Sequence, residues 1–181
     1  MADAMNYETV VYTSYLKETL ELLDDPGLLL VSAGAGGKPN AMTIGWGAVG
    51  PIWGKNIFAV LVRPSRHTCT LLNESDSFTV CLPAPDMRAA VEFCGEYSGR
   101  DSDKLAACNL RTILSTKVSA PGIAGCPVIY ECRIVHRNEV NPATLARDIT
   151  AYPRGDYHRI YFGEIMAVRA LAGAAAILGR V

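Results

Sequence analysis

Between an apolar run, Ile57–Val62, and a stretch carrying Leu71 and Leu72, the chain reads VRPSRHT (Val62–Thr68). Arg63 and Arg66 bring guanidiniums there, and Ser65 and Thr68 bring hydroxyls. Guanidinium is the planar, two-pronged donor that phosphate oxygens prefer, and hydroxyls add neutral donors beside it. Pro64 cannot continue a strand ladder, and Ser65 is placed to N-cap a helix over 65–74. The free N–H groups and positive dipole end of such a helix would point back at the turn. The chemistry this suits is the binding of a phosphate monoester. A capped helix with two solvated arginines is the plain alternative, and these residues alone do not separate the two.

Three further segments carry candidate chemistry. SGRDSDK (Ser98–Lys104) holds Arg100 and Lys104 around a loop glycine. It reads as a helix start capped by Asp101 or Ser102 unless the loop folds over the same anion. NAMTIGWG (Asn40–Gly47) sets Thr43, Gly45 and Trp46 in a strand-like run. Glycine in a strand marks close approach by a ligand or another backbone, so a planar heteroaromatic ring could lie along it, and a strand that merely bends fits as well. His158, in GDYHRIYFGE, opens a strand with Glu164 further along. At its ordinary pKa an imidazole titrates near neutrality, although a lone histidine is more often structural than catalytic. His67 and His136 show no partner. GAGGK (Gly34–Lys38) lacks the residues and the following helix of a phosphate loop, and reads as a hairpin turn.

The elements that must position these residues are mostly strands. TSYLKETLELLDDPG sets Leu16, Leu20 and Leu23 at helical spacing and stops at Pro26-Gly27. Strands follow at Leu28–Ala33, Asn40–Gly50, Asn56–Val62 and Ser77–Pro83, and helical pieces at DMRAAVEFC and DSDKLAAC. CPVIYECRIVHRNEV and DYHRIYFGEIMAVRAL alternate with the period of half-buried antiparallel strands. Strict β-α-β alternation is absent. The fold class is therefore mainly β with helical insertions, an antiparallel barrel in one domain over residues 1–181.

Composition narrows the function. With 181 residues and a net charge of −1, there is no basic field for nucleic acid. The polar, acidic start MADAMNYETV lacks the pattern of a secretory signal, and IMAVRALAGAAAIL is interrupted by Arg169 and too short to span a membrane. A cytoplasmic protein is indicated. The six cysteines form no C-x-x-C pair, so reduced, buried thiols are expected and no metal site.

Taken in order, PNAMTIGW, VRPSRHT, SFTV-LP, FCGEYSGRDSDK and YHRIYFGE resemble the flavin reductase-like, FMN-binding split β-barrel family, to which flavoredoxin belongs. The resemblance runs from about Pro39 to Glu164. It implies a six-stranded Greek-key-like barrel, a homodimer, and one FMN per subunit near the dimer interface. By that resemblance Arg63, Ser65, Arg66 and Thr68 cradle the FMN 5′-phosphate. The isoalloxazine runs along Asn40, Ala41, Met42, Thr43, Gly45 and Trp46, Ser98 and Lys104 approach the phosphate end, and His158 stands near the flavin ring or nicotinamide. Cys81 stands where the family often has Asn, and a thiol cannot replace the contacts of an amide. The activity implied is an FMN-dependent oxidoreductase that takes electrons from NADH or NADPH to free flavin or another acceptor. Its alternatives are an FMN-binding electron carrier serving a redox protein partner, and a pyridoxamine-phosphate-oxidase-like relative.

Overall fold

A computed structural model of the chain describes residues 6–179; the polar start at Met1–Met5 and the last two residues lie outside that range. The elements in chain order are β1 (Tyr7–Val10), α1 (Leu16–Asp24), β2 (Leu28–Ala33), β3 (Pro39–Ile44), β4 (Gly47–Ile52), β5 (Lys55–Val62), α2 (His67–Asn73) and β6 (Ser77–Leu82). Then come α3 (Arg88–Glu96), α4 (Lys104–Ala107), β7 (Thr112–Ile113), β8 (Gly122–Ile123), β9 (Val128–Glu139), β10 (Arg159–Leu171) and α5 (Ala174–Ile177). Among the described residues no helix is long and apolar enough to cross a membrane.

Eight strands form the main sheet, in the order β3-β2-β6-β9-β10-β5-β4 with β1 added on β10, and the pairings are antiparallel. Strand alternation divides its side chains between two cores. Leu28 and Leu30 of β2, Met42 and Ile44 of β3, Phe58 and Val60 of β5, Phe78 and Val80 of β6, Tyr130 of β9 and Tyr161 of β10 meet in one cluster inside the barrel. The intervening Leu29, Val31, Ala41, Cys81 and Ile129 face outward and pack against Val91 and Cys94 of α3. Burial of each Leu, Ile, Val, Phe or Met among them contributes about 1.5–3 kcal/mol. Six strands supply the buried residues named in this inner cluster, and Val10 of β1 and Val49 of β4, at the added strand and the far end of the path, pack against it too.

Gly163 lets β10 close on this core. A Cβ there would run into the Phe78 ring and come within 2.7 Å of the Cys132 Cβ. On the outer face Glu131, fully buried, accepts from the Thr116 and Lys117 N–H groups and the Thr116 hydroxyl. It pairs with Arg169 at 2.6 Å. That guanidinium lies over the Tyr7 ring of β1.

Several boundaries differ from the sequence expectation. The run Asn40–Gly50 is not one strand: β3 and β4 are separated at Gly45–Trp46, because they lie at opposite ends of the sheet path. Leu20 is 46% exposed, and Thr19 is buried instead through its hydroxyl's contact with Tyr130. Cys108 is the half-buried thiol, whereas Cys81 is fully buried, 3.7 Å from the Thr79 hydroxyl. The sequence reading contained neither β1 nor α5, both of which are only four residues long.

Candidate functional site

The chain leaves β5 through a tight turn in which the Arg66 N–H donates to the Arg63 carbonyl at 3.0 Å. Pro64 takes the second position of that turn, where its fixed φ is already correct. The turn delays α2, which starts at His67 with Arg66 as its extended cap residue and no side-chain cap. Ser65 is therefore not the N-cap. Its hydroxyl donates instead to Asp156 Oδ2 (2.6 Å) and its N–H to Asp156 Oδ1 (3.2 Å). With only seven residues, α2 is too short for its dipole to dominate, and the side chains around it set the local charge.

The loop before α4 folds over the same place. Arg63, Ser65, Arg66, His67 and Thr68 line one cavity of about 470 Å³ with Ser98, Arg100, Lys104, Met42 and Asp156. This is within the usual range for small-molecule sites. Arg100 reaches back to the Ser65 carbonyl at 2.8 Å. Lys104 is 4% exposed and donates to the Cys94 carbonyl at 3.0 Å. Burial lowers its pKa. The cap of α4 is Asp103, which accepts from the Ala106 N–H, not Asp101 or Ser102. Thr68 is buried and accepts from Asn40 Nδ2 at 2.9 Å, tying β3 to α2.

Cations outnumber carboxylates around this cavity, which Arg63, Arg66, Arg100 and Lys104 line together with Asp101 and Asp156. Among the described residues Arg63, Arg66, Arg100 and Lys104 have no carboxylate oxygen within 4.0 Å of a side-chain nitrogen, whereas Lys55, Arg88, Arg133, Arg159 and Arg169 each do. Of these four only Lys104 is buried, and a buried cation without a counter-ion is costly unless an anion completes it.

A groove of about 200 Å³ adjoins the cavity, sharing Met42, Arg63 and Arg66 with it. Met42, Thr43, Ile44, Gly45 and Trp46 form one wall and Leu61 and His158 contribute the other, so the groove follows the gap between β3 and β5. Ala41 does not face it: its side chain lies in the outer cluster against α3, leaving only its backbone to contribute. The Thr43 hydroxyl also turns outward, to the Val91 carbonyl at 2.5 Å.

His158 is 8% exposed, its ring centroid 4.9 Å from that of Trp46 and its Nδ1 2.8 Å from the Tyr152 hydroxyl. Burial first, then the Arg63 guanidinium, push its pKa down to about 4. The imidazole is therefore neutral at physiological pH and does not titrate near neutrality as its residue type alone implies. His67, assigned no partner from sequence, lines the larger cavity, and burial followed by Arg100 and Lys104 lowers its pKa too.

Arg63 has a position unlike that of a free phosphate ligand. Its guanidinium donates to the Asp156 and Ala151 carbonyls, both at 3.1 Å, and lies over the Tyr152 ring. It is a strut holding the 151–158 loop against the groove. The sequence assigned no role to Tyr152, which sits in no motif, or to Asp156, which lies within GDYHRIYFGE two residues before His158. The available signal was Gly155-Asp156, which take positive φ values of 74° and 58° in a turn suited to those residues.

A family model described as "Flavin reductase like domain" matches residues 26–178. An uncharacterized protein of Archaeoglobus fulgidus is 33% identical over 109 residues, 60% of this chain and 60% of the relative's length. Flavoredoxin of Desulfovibrio vulgaris (Miyazaki F) superposes with a TM-score of 0.65 at 23% identity, covering 80% of this chain and 69% of that one. The NADH:FAD oxidoreductase of Streptomyces globisporus C-1027 does so with a TM-score of 0.62 at 19% identity, covering 92% and 89%. The fold shared with these solved structures is the split β-barrel.

Proposed function

The chain belongs to the flavin reductase like domain family, and from that premise we propose that it is an FMN-binding oxidoreductase passing electrons from NADH or NADPH to a flavin or another acceptor. The observation that carries this reading is the set of cations without ion-paired carboxylates around a cavity that adjoins the groove between β3 and β5. A dianionic phosphate balances the first, and a planar ring fills the second.

Arg66, Arg100, Lys104, Thr68 and Ser98 would hold the phosphate end, while the 42–46 backbone, Leu61 and Trp46 would flank the ring. His158 would present an uncharged imidazole edge to it. Bound there, FMN supplies hydride and single-electron chemistry that no side chain has. The protein's own work is to bind, orient and limit water. Trp46 remains 45% exposed at the groove, and we place the active unit as a homodimer whose partner covers that side. The second reading, an FMN-carrying electron-transfer protein, is favoured by the flavoredoxin likeness.

Titration of the purified protein with FMN, FAD and riboflavin, followed by steady-state oxidation of NADH and NADPH, tests both. Tightest binding of FMN with turnover supports the oxidoreductase. FMN binding without turnover supports the carrier, and failure to bind any flavin removes both.

A further inference from the structure

We propose that Tyr152 is a positioning residue for His158, holding the imidazole as the Nε2-protonated tautomer so that one fixed N–H donor faces the groove. The use of that donor, toward a carbonyl or ring nitrogen of a planar heteroaromatic ligand, rests on the flavin reading above. The tautomer itself does not.

The hydroxyl of Tyr152 is 2.8 Å from His158 Nδ1. A neutral imidazole has one donor and one acceptor nitrogen, and the hydrogen bond at one decides the other. A phenol is a far stronger acid than a neutral imidazole N–H, so the phenol donates and Nδ1 accepts. The proton of the imidazole then resides on Nε2, at the opposite edge of a ring that lines the groove.

The surroundings enforce this arrangement. Arg63 lies 5.0 Å from the Tyr152 ring centroid and grips the carbonyls on both sides of that residue, at Ala151 and Asp156. A cation over the ring face draws electron density from the phenol and sharpens it as a donor. Tyr157 packs at 4.7 Å on the Tyr152 ring, and Trp46 at 4.9 Å on the imidazole, so neither ring is free to turn. The charged groups acting on His158 are, in order of effect, Arg63, which opposes its protonation, Asp156, which favours it, and Arg66, which opposes it.

Long-range proton–nitrogen correlation spectra of 15N-labelled, ligand-free protein test the tautomer directly. Wild type is expected to show His158 as the Nε2–H form with unprotonated Nδ1. Tyr152→Phe keeps the ring under Arg63 but removes the donor, and the Nδ1–H form is expected to rise to a comparable population. A backbone amide spectrum checks that the variant is folded. In FMN-loaded protein the same change is expected to slow reduction by NAD(P)H about twofold, because about half the molecules keep the Nε2–H donor, with FMN affinity changed by no more than that factor. An Nδ1–H tautomer in wild type, or a tautomer balance that Tyr152→Phe leaves unmoved, overturns the proposal. If the spectra behave as expected and no flavin binds, Tyr152 keeps its role and only the flavin reading fails.

Discussion

Ser65 gives both its hydroxyl and its N–H to the carboxylate of Asp156, at 2.6 and 3.2 Å. A carboxylate thus occupies donors that the VRPSRHT motif offers to phosphate. Asp156→Asn keeps an acceptor for Ser65 and removes the charge. FMN affinity is expected to rise about fivefold, the scale of one exposed charge contact, with riboflavin affinity unchanged. Calorimetric titration with both flavins decides it; an equal change for both would mean the loop had moved.

Arg66 and Arg100 are exposed at the same cavity, Arg66 donating to the Gly95 carbonyl and Arg100 to the Ser65 carbonyl and, at 3.5 Å, to the Thr70 hydroxyl. Arg66→Ala or Arg100→Ala is expected to weaken FMN binding about tenfold or more, as loss of a charge-assisted bond does, and riboflavin binding little. Ser65→Ala should cost less than either, since its donors already face Asp156. The same titrations, repeated at raised salt, should show the FMN-specific part shrinking.

The pKa of His158, near 4, sets two pH signatures. Reduction of the FMN-loaded protein is expected to show no His158-linked titration between about pH 6 and 8, and His158→Ala to lower the rate without changing the profile's shape. Stability carries the other signature. From pH 6.5 down to about 4 the unfolded chain takes up a proton that the folded imidazole refuses, so unfolding free energy falls with falling pH. His158→Gln should flatten that window in denaturant titrations, and an unchanged slope there would contradict a neutral, buried imidazole.

Removing one partner of the Glu131–Arg169 pair strands a buried charge. Arg169→Met is expected to destabilise the protein by about 3–5 kcal/mol, read from the urea midpoint. Replacing both residues together should cost less than the sum, because no uncompensated charge remains.

What the sequence revealed of the site was its local part. VRPSRHT and SGRDSDK each hold their donors within a few consecutive residues, so residue type alone exposes their charge and hydroxyl content. β9 and β10 were readable because alternation records which side of a strand is buried. Tyr152 gave no such signal, and Asp156 only that of a Gly-Asp turn. Their roles come from partners such as Ser65 and Arg63, the latter 93 residues from the Asp156 carbonyl it holds, and no local pattern encodes that distance. The break at Gly45–Trp46 was missed for a related reason: it follows from the separate places of β3 and β4 in the sheet, which only the closed barrel determines.

The Arg63 strut also bears on the order of folding. Its bonds to the Ala151 and Asp156 carbonyls join segments 88 and 93 residues apart. Closing so long a loop is slow, and its entropic cost must be met before the contact returns anything. Competence to hold a ligand would therefore emerge only as β10 seats between β5 and β9, making ligand capture a timestamp for completion of the barrel in a refolding experiment. By mass action, a ligand held at a hundred times its dissociation constant would then draw about 2.7 kcal/mol of stability to the whole fold rather than to the site alone.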